Sequence, residues 1–118
     1  MEDVFKIGML LDFYGQLLTK KQYEVLDLHY NGDYSLSEIA EHLNISRQGV
    51  YDNIKRGRSL LGIYEKRLGL LKRFMEQKSK MEKMLKHLKD IDMVGMKDED
   101  RQKLSGVIDD IEELIEKL

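Results

Sequence analysis

Residues 35–54, SLSEIAEHLNISRQGVYDNI, decide how this chain folds. Ser35 and Glu38 stand three apart, the spacing at which each side chain satisfies the other's free backbone N–H at a helix start. Ile39, Ala40 and Leu43 follow at helical intervals and define one apolar face. Asn44 comes next, a residue that tolerates the left-handed backbone needed to stop a helix sharply. Ile45 is placed to plug the gap between helices, Ser46 to cap the second one, and Val50 and Ile54 to form its inner face. Two short helices joined by a tight turn are expected, a helix-turn-helix. Their crossing needs small side chains at closest approach, which Ala40 and Gly49 supply.

Arg47, Gln48, Tyr51, Asp52 and Lys55 are left outward on the second helix. Side chains at the start of such a helix reach base edges when it enters a major groove. Arginine pairs bidentately with guanine and glutamine with adenine, so Arg47 and Gln48 are the natural readers. Lys55, Arg56 and Arg58 cluster where this helix is expected to end, a place where side chains meet phosphates. Asp52 opposes phosphate contact from the same face. Helix-turn-helix units also serve as packing motifs or protein-docking modules, so the motif alone leaves both readings open.

Working outward, an amphipathic helix is expected from Asp3 to Leu18. Val4, Ile7, Leu11, Tyr14 and Leu18 form its stripe, widened by Phe5, Leu10, Phe13 and Leu17. Such breadth predicts a helix central to the core, with Phe5 and Phe13 packed inside. Thr19 and Gln22 repeat the capping spacing and open a second helix, with Tyr23, Leu26 and Tyr30 on one face and Val25 and Leu28 beside them. Asn31-Gly32-Asp33 stops it. This second helix is placed to bury the apolar side of the helix-turn-helix.

After Ile54 a long amphipathic helix is expected, with bends near Gly57 or Gly62, since glycine weakens a helix by roughly 1 kcal/mol relative to alanine. Leu61, Tyr64, Leu68 and Leu71 keep a seam, and Met81, Met84, Leu88 and Ile91 resume it after a three-residue step at Phe74. Residues 92–100, DMVGMKDED, read as a hinge. A last helix runs from about Asp98 to Leu118, striped by Leu104, Val107, Ile108, Ile111, Leu114, Ile115 and Leu118. Alone it would be marginal, so it must pair with the preceding helix, a second chain or another protein. The expected division is a helical domain over residues 1–73 and a helical extension over 74–118.

The composition agrees with an all-α class. The chain has 118 residues and no proline; 42% are hydrophobic, enough for a core, and 36% are charged, above the ordinary quarter. It has no cysteine, so it has no thiol chemistry, which suits a cytoplasmic protein. No apolar run reaches a membrane span, and MEDVFK lacks the form of a secretory signal. The net charge of −2 conceals segregation. Residues 1–45 hold eight acidic and three basic side chains, residues 46–89 four and thirteen, and residues 90–118 ten and four. A basic middle that begins at the presumed reading helix is the footprint of a nucleic-acid binder. An acidic last helix folded back on it would equally account for the pattern.

Catalytic, cofactor and metal constellations are not expected. His29, His42 and His87 lie on separate helices with no cysteine to join them. Asp109, Asp110, Glu112 and Glu113 read as a solvated face. Glycine-rich phosphate loops do not occur. The chain reads as a non-enzyme.

Two resemblances sharpen this. The stretch LTKKQYEVLDLHYNGDYSLSEIAEHLNISRQGVYDNIKRGRSLL resembles region 4 of bacterial sigma factors, which recognises promoter DNA. More closely, DFYGQLLT followed by SLSEIA and SRQGVYDNI, within residues 12–74, resembles the YlxM family of small bacterial proteins. That resemblance implies a cytoplasmic, sigma-region-4-like helix-turn-helix domain followed by long C-terminal helices. It implies a regulatory or accessory role in the signal recognition particle pathway. It also implies that Arg47, Gln48, Tyr51, Asn53, Lys55 and Arg56 hold reading-helix positions. Asn44 departs from the glycine common at such turns, but it adopts the same backbone. The implied partners are DNA or the particle's RNA, with the particle's proteins as further candidates. The apolar stripes of the last two helices separately lead to the expectation of a homodimer through them. The alternatives are a DNA-binding transcription regulator and a protein-docking module with no nucleic-acid ligand.

Overall fold

The computed structural model describes residues 4–118, so the expected helix start at Asp3 lies outside the described residues. The described residues form helices and connecting turns, with no strand. They are α1 (Val4–Tyr14), α2 (Lys20–Leu26), α3 (Leu36–Leu43), α4 (Arg47–Leu68), α5 (Leu70–Lys89) and α6 (Asp98–Glu116). The chain divides into two compact units, the first ending at Lys72 and the second running from Arg73 to Leu118.

In the first unit α1 stops four residues before the expected Leu18. A 3₁₀ turn at Gly15–Leu17 follows, and Leu18 and Thr19 are extended. That extension is what lets Thr19 cap α2. Its hydroxyl accepts from the Gln22 N–H at 3.1 Å, and Gln22 Oε1 accepts from the Thr19 N–H at 3.1 Å. Beyond Leu26 the helix widens into a π-helical turn over Asp27–Asn31, closed by the Gly32 N–H on the Asp27 carbonyl at 3.0 Å. The expected stop at Asn31-Gly32-Asp33 holds, with the left-handed residue at Asp33 (φ 58°).

The helix-turn-helix forms as its capping residues dictate. Ser35 Oγ accepts from the Glu38 N–H at 3.1 Å while Glu38 Oε1 accepts from the Ser35 N–H at 3.0 Å. These bonds hold the Glu38 carboxyl below its ordinary range. Asn44 ends α3 at φ 56° and ψ 48°, and Ser46 Oγ accepts from the Gly49 N–H at 2.9 Å to start α4.

Several expectations are corrected here. The central helix is α4, against which α1, α2 and α3 all pack; α1 lies against α4 and the Asp27–Asn31 turn. It buries Ile7, Leu10, Leu11 and Tyr14, while Val4, Phe13 and Leu17 are exposed and Phe5 is 69% exposed. One helix against one neighbouring surface can bury only one stripe. The second helix-turn-helix element is not short, because α4 runs unbroken for 22 residues through Gly57 and Gly62. Its inner side is Val50, Ile54, Gly57 and Leu61. Gly49 is not the residue at closest approach. An added Cβ there would meet only Ser46 Oγ, at 3.1 Å; the tight glycine of α4 is Gly57, which faces α2, where an added Cβ would lie 2.6 Å from Leu26 Cδ1. Val25, Leu26, Ile39, Val50 and Leu61 are wholly buried, each contributing roughly 1.5–3 kcal/mol of burial.

The break falls instead at Gly69 (φ 62°), whose N–H reaches the Glu65 carbonyl at 2.8 Å. The seam is therefore two seams. Leu68, the last residue of α4, is exposed, whereas Leu71 is buried. Once the helix restarts at Leu70 the intervals become regular. Beyond Leu70 and Leu71, Phe74, Met81, Leu85 and Leu88 are the less exposed positions of α5, and Met84 and, just past the helix, Ile91 are exposed.

In the second unit, residues 90–97 turn the chain. The Val94 N–H is bonded to Asp92 Oδ1 at 2.9 Å, and Gly95 adopts φ 83°. Arg101 fixes the start of α6 by donating to the Met96 carbonyl at 3.1 Å and to Asp98 Oδ1 at 3.2 Å. Lys89 Nζ on α5 meets Glu112 Oε2 on α6 at 3.2 Å. Ile111 is buried, flanked by half-buried Leu104, Ile108 and Ile115.

Candidate nucleic-acid interface

The roll of α4 is set by its inner side, and that decides what faces outward. Arg47, Tyr51, Lys55 and Arg58, spaced by four, four and three residues, fall on one stripe, which Gly62 continues. At 1.5 Å per residue the stripe from Arg47 to Arg58 is about 17 Å long. Tyr51 is 50% exposed. With Ile54, Lys55, Arg58, Ser59 and Gly62 it lines a shallow depression, and beyond the adjoining residues and backbone of its own helix no atom lies within 4 Å of where a Gly62 Cβ would stand. Arg47, Lys55 and Arg56 are exposed and in no ion pair among the described residues.

Three sequence-derived site residues stand apart from this stripe. Asn53 is half-buried on another side and donates its amide to the Gly49 carbonyl at 2.8 Å. Gln48 donates to Asp52 Oδ1 at 3.0 Å, so the amide suited to reading adenine is engaged within the helix. The same bond occupies Asp52, the acid that opposes phosphate. Arg56 lies round the helix, in a depression that shares Lys55 and Ser59 with the first and adds Gln22, Asp52 and Leu60. Lys55, Arg56 and Arg58 are not at a helix end, because α4 continues to Leu68. Ser59 is not marked by the sequence, and Gly62 is marked there only as an expected bend, not as part of the site. Continuing the spacing of four past Arg58 would have found Gly62, had the helix been extended that far.

No three His, Asp or Glu side chains among the described residues converge as a metal site. No helix among them is long and apolar enough to cross a membrane.

Comparison with known proteins agrees with this architecture. Residues 1–105 match the family described as "Putative helix-turn-helix protein, YlxM / p13 like". A UPF0122 protein of Acetivibrio thermocellus is 57% identical over 116 residues, covering 98% of this chain and 99% of that protein. One from Thermoanaerobacter is 44% identical over 117 residues, covering 99% of this chain and 97% of that protein. UPF0122 protein YlxM of Bacillus subtilis is 43% identical over 114 residues, covering 97% of each chain. With its capped helix-turn-helix and a match spanning most of its length, the chain belongs to the YlxM / p13-like helix-turn-helix family.

Proposed function

We propose that this protein binds nucleic acid through the outward stripe of α4 and serves as a regulatory or accessory factor of the signal recognition particle pathway, with the particle's RNA as its ligand. The observation that carries the RNA reading is the state of the polar side chains on α4. The two amides fitted to base-edge readout, those of Gln48 and Asn53, are bonded within the helix. Arg47 and Lys55 are free to meet phosphates, and Tyr51 offers an exposed ring between them. Cations flanking an aromatic platform suit an unpaired, stacked base better than a duplex read by hydrogen bonds. A major groove of A-form RNA would not admit α4, so contact is through loops, shape and phosphates. The protein acts in the cytoplasm and as a homodimer through its C-terminal helices.

The test is a titration against signal recognition particle RNA and mixed-sequence duplex DNA at several salt concentrations. Tighter, salt-sensitive binding to the RNA is expected, because phosphate contacts release counterions. Preference for duplex DNA would instead favour a transcription regulator. Binding to neither would turn attention to the particle's protein subunits.

A further inference from the structure

Two depressions lie side by side on α4. One is lined by Tyr51, Ile54, Lys55, Arg58, Ser59 and Gly62. The other is lined by Asp52, Lys55, Arg56, Ser59 and Leu60, with Gln22 contributed by α2. Lys55 and Ser59 belong to both. Four residues apart, they stand in one row along the helix and form the ridge between the two hollows. At 3.6 residues per turn the hollows open about a quarter turn apart. On a helix about 10–12 Å across, that separates them by about 8 Å. Stacked nucleotides of one strand lie about 3.4 Å apart. Neighbouring bases therefore reach both hollows only when unstacked and splayed across the ridge, as in single-stranded RNA.

The two hollows differ in chemistry. The one beside Tyr51 has an exposed ring, two cations and no acid, which suits stacking without choice of base. The other combines donors with an acid. Asp52 Oδ1 accepts from the Gln48 amide at 3.0 Å, and Asp52 Oδ2 has no partner among the described residues. Gln22 Oε1 is committed to the Thr19 N–H at 3.1 Å, which leaves the Gln22 amide N–H groups to donate. Arg56 is exposed and in no ion pair among the described residues, and half-buried Leu60 adds an apolar patch. A base that matches this set shows two neighbouring acceptors on one edge and two neighbouring donors on the next. Guanine alone does, with O6 and N7 for a guanidinium fork and N1–H and N2–H for a carboxylate. Each carboxylate oxygen takes two hydrogen bonds, so the Gln48 amide does not fill Asp52 Oδ1.

We infer that α4 binds a two-nucleotide step of single-stranded RNA, with an unpaired guanine read by Asp52 and Arg56, its neighbour stacked on Tyr51, and the phosphate between them on Lys55 and Ser59. This rests on the RNA reading above and adds the base that the site selects. It also gives Asp52 a role on a face that otherwise attracts phosphate. The carboxylate weakens binding to RNA in general and strengthens it where a guanine is present.

The test is a fluorescence-anisotropy titration of the full chain against single-stranded RNAs of about twelve nucleotides, a length that exceeds the site. One is oligouridine, and the others carry a single central guanosine, adenosine or cytidine. The guanosine strand is expected to bind about tenfold or more tightly than the rest. Inosine, which lacks the 2-amino group, and 7-deazaguanosine, which lacks N7, should each lose most of that gain with the protein unaltered. Asp52→Asn keeps an oxygen for Gln48 and removes a charge. It is expected to bind oligouridine at least as tightly as the native chain and to lose the preference for guanosine. An Asp52→Asn chain that binds every strand more tightly and keeps the preference overturns the assignment. So do inosine and 7-deazaguanosine strands that bind like guanosine, or a native chain that binds all strands equally. If no short strand binds while signal recognition particle RNA does, the splayed step falls and the RNA reading stands. If neither binds, both fall.

Discussion

The Tyr14 hydroxyl, at the end of α1, donates to Glu65 Oε1 at 2.7 Å across 51 residues of sequence. The same hydroxyl accepts from the Leu70 N–H at 3.0 Å. Glu65 accepts from the Leu71 and Lys72 N–H groups at 3.1 and 3.0 Å. The first turn of α5 would otherwise leave its N–H groups without partners. Here they are satisfied by a carboxylate from the last turn of α4 and a phenol from α1, which ties three helices at one point.

Partial burial pushes the Glu65 carboxyl up, but the Tyr14 hydroxyl, the two N–H groups and the nearby Lys6 charge outweigh it, and its pKa falls below the ordinary 4.5. The folded state therefore binds this proton less readily than the unfolded chain. The stabilisation is complete above about pH 4.5 and is lost as pH falls through the lower folded value. Glu65→Gln should flatten that acid limb in urea unfolding followed against pH. Tyr14→Phe should cost about 1–2 kcal/mol at neutral pH, since it removes the acceptor of the Leu70 N–H. An acid limb unchanged in Glu65→Gln would remove this carboxylate from the account.

The capping residues were legible in the sequence because their signals are local. Thr19 with Gln22, Ser35 with Glu38, and Asn44 each act within four residues of themselves. Tyr14 with Glu65 was not, since neither residue marks the other and Tyr14 reads only as one more member of an apolar stripe. Phe5 was misplaced for the same kind of reason. Periodicity tells which residues share a side of a helix, but not how much of that side a neighbour covers. For the candidate site, the types Arg47, Tyr51, Lys55 and Arg58 were readable. The internal bonds of Gln48 and Asn53 depend on rotamers that spacing leaves open.

Gly57 and Gly62 look alike in sequence and should respond oppositely to alanine. At Gly57 the new methyl would lie 2.6 Å from Leu26 Cδ1, so the wholly buried Leu26 side chain would have to shift. Gly57→Ala should destabilise by about 1–3 kcal/mol despite its better helix propensity. Gly62 is exposed with open space around it, so Gly62→Ala should stabilise by about 0.5–1 kcal/mol. Paired urea melts decide the matter. Equal shifts of one sign would mean that the α2–α4 contact is not where Gly57 puts it.

Ala40 offers a second check on the crossing of α3 and α4. It is buried beside Ile39, and Ala40→Leu should overpack the crossing at a cost of about 1–3 kcal/mol. A thermal midpoint unchanged by this substitution would show a gap in the core that the packing of α3 does not suggest.

The stripe on α4 gives the sharpest functional prediction. Arg47→Ala and Lys55→Ala should each lower the salt slope of RNA binding by somewhat less than one unit and leave the melting curve in place, because both side chains are exposed. Tyr51→Ala should weaken binding by about 1–3 kcal/mol with little change in that slope, as expected for a lost stacking platform rather than a lost charge. Asn53→Ala should behave differently again. Its amide is bonded to the Gly49 carbonyl, so the change should leave both affinity and salt slope close to native. If Asn53 or Gln48 instead proved to matter more than Tyr51, and duplex sequence changed the affinity, those amides must leave their partners on binding. The ligand would then be a DNA groove rather than an RNA loop.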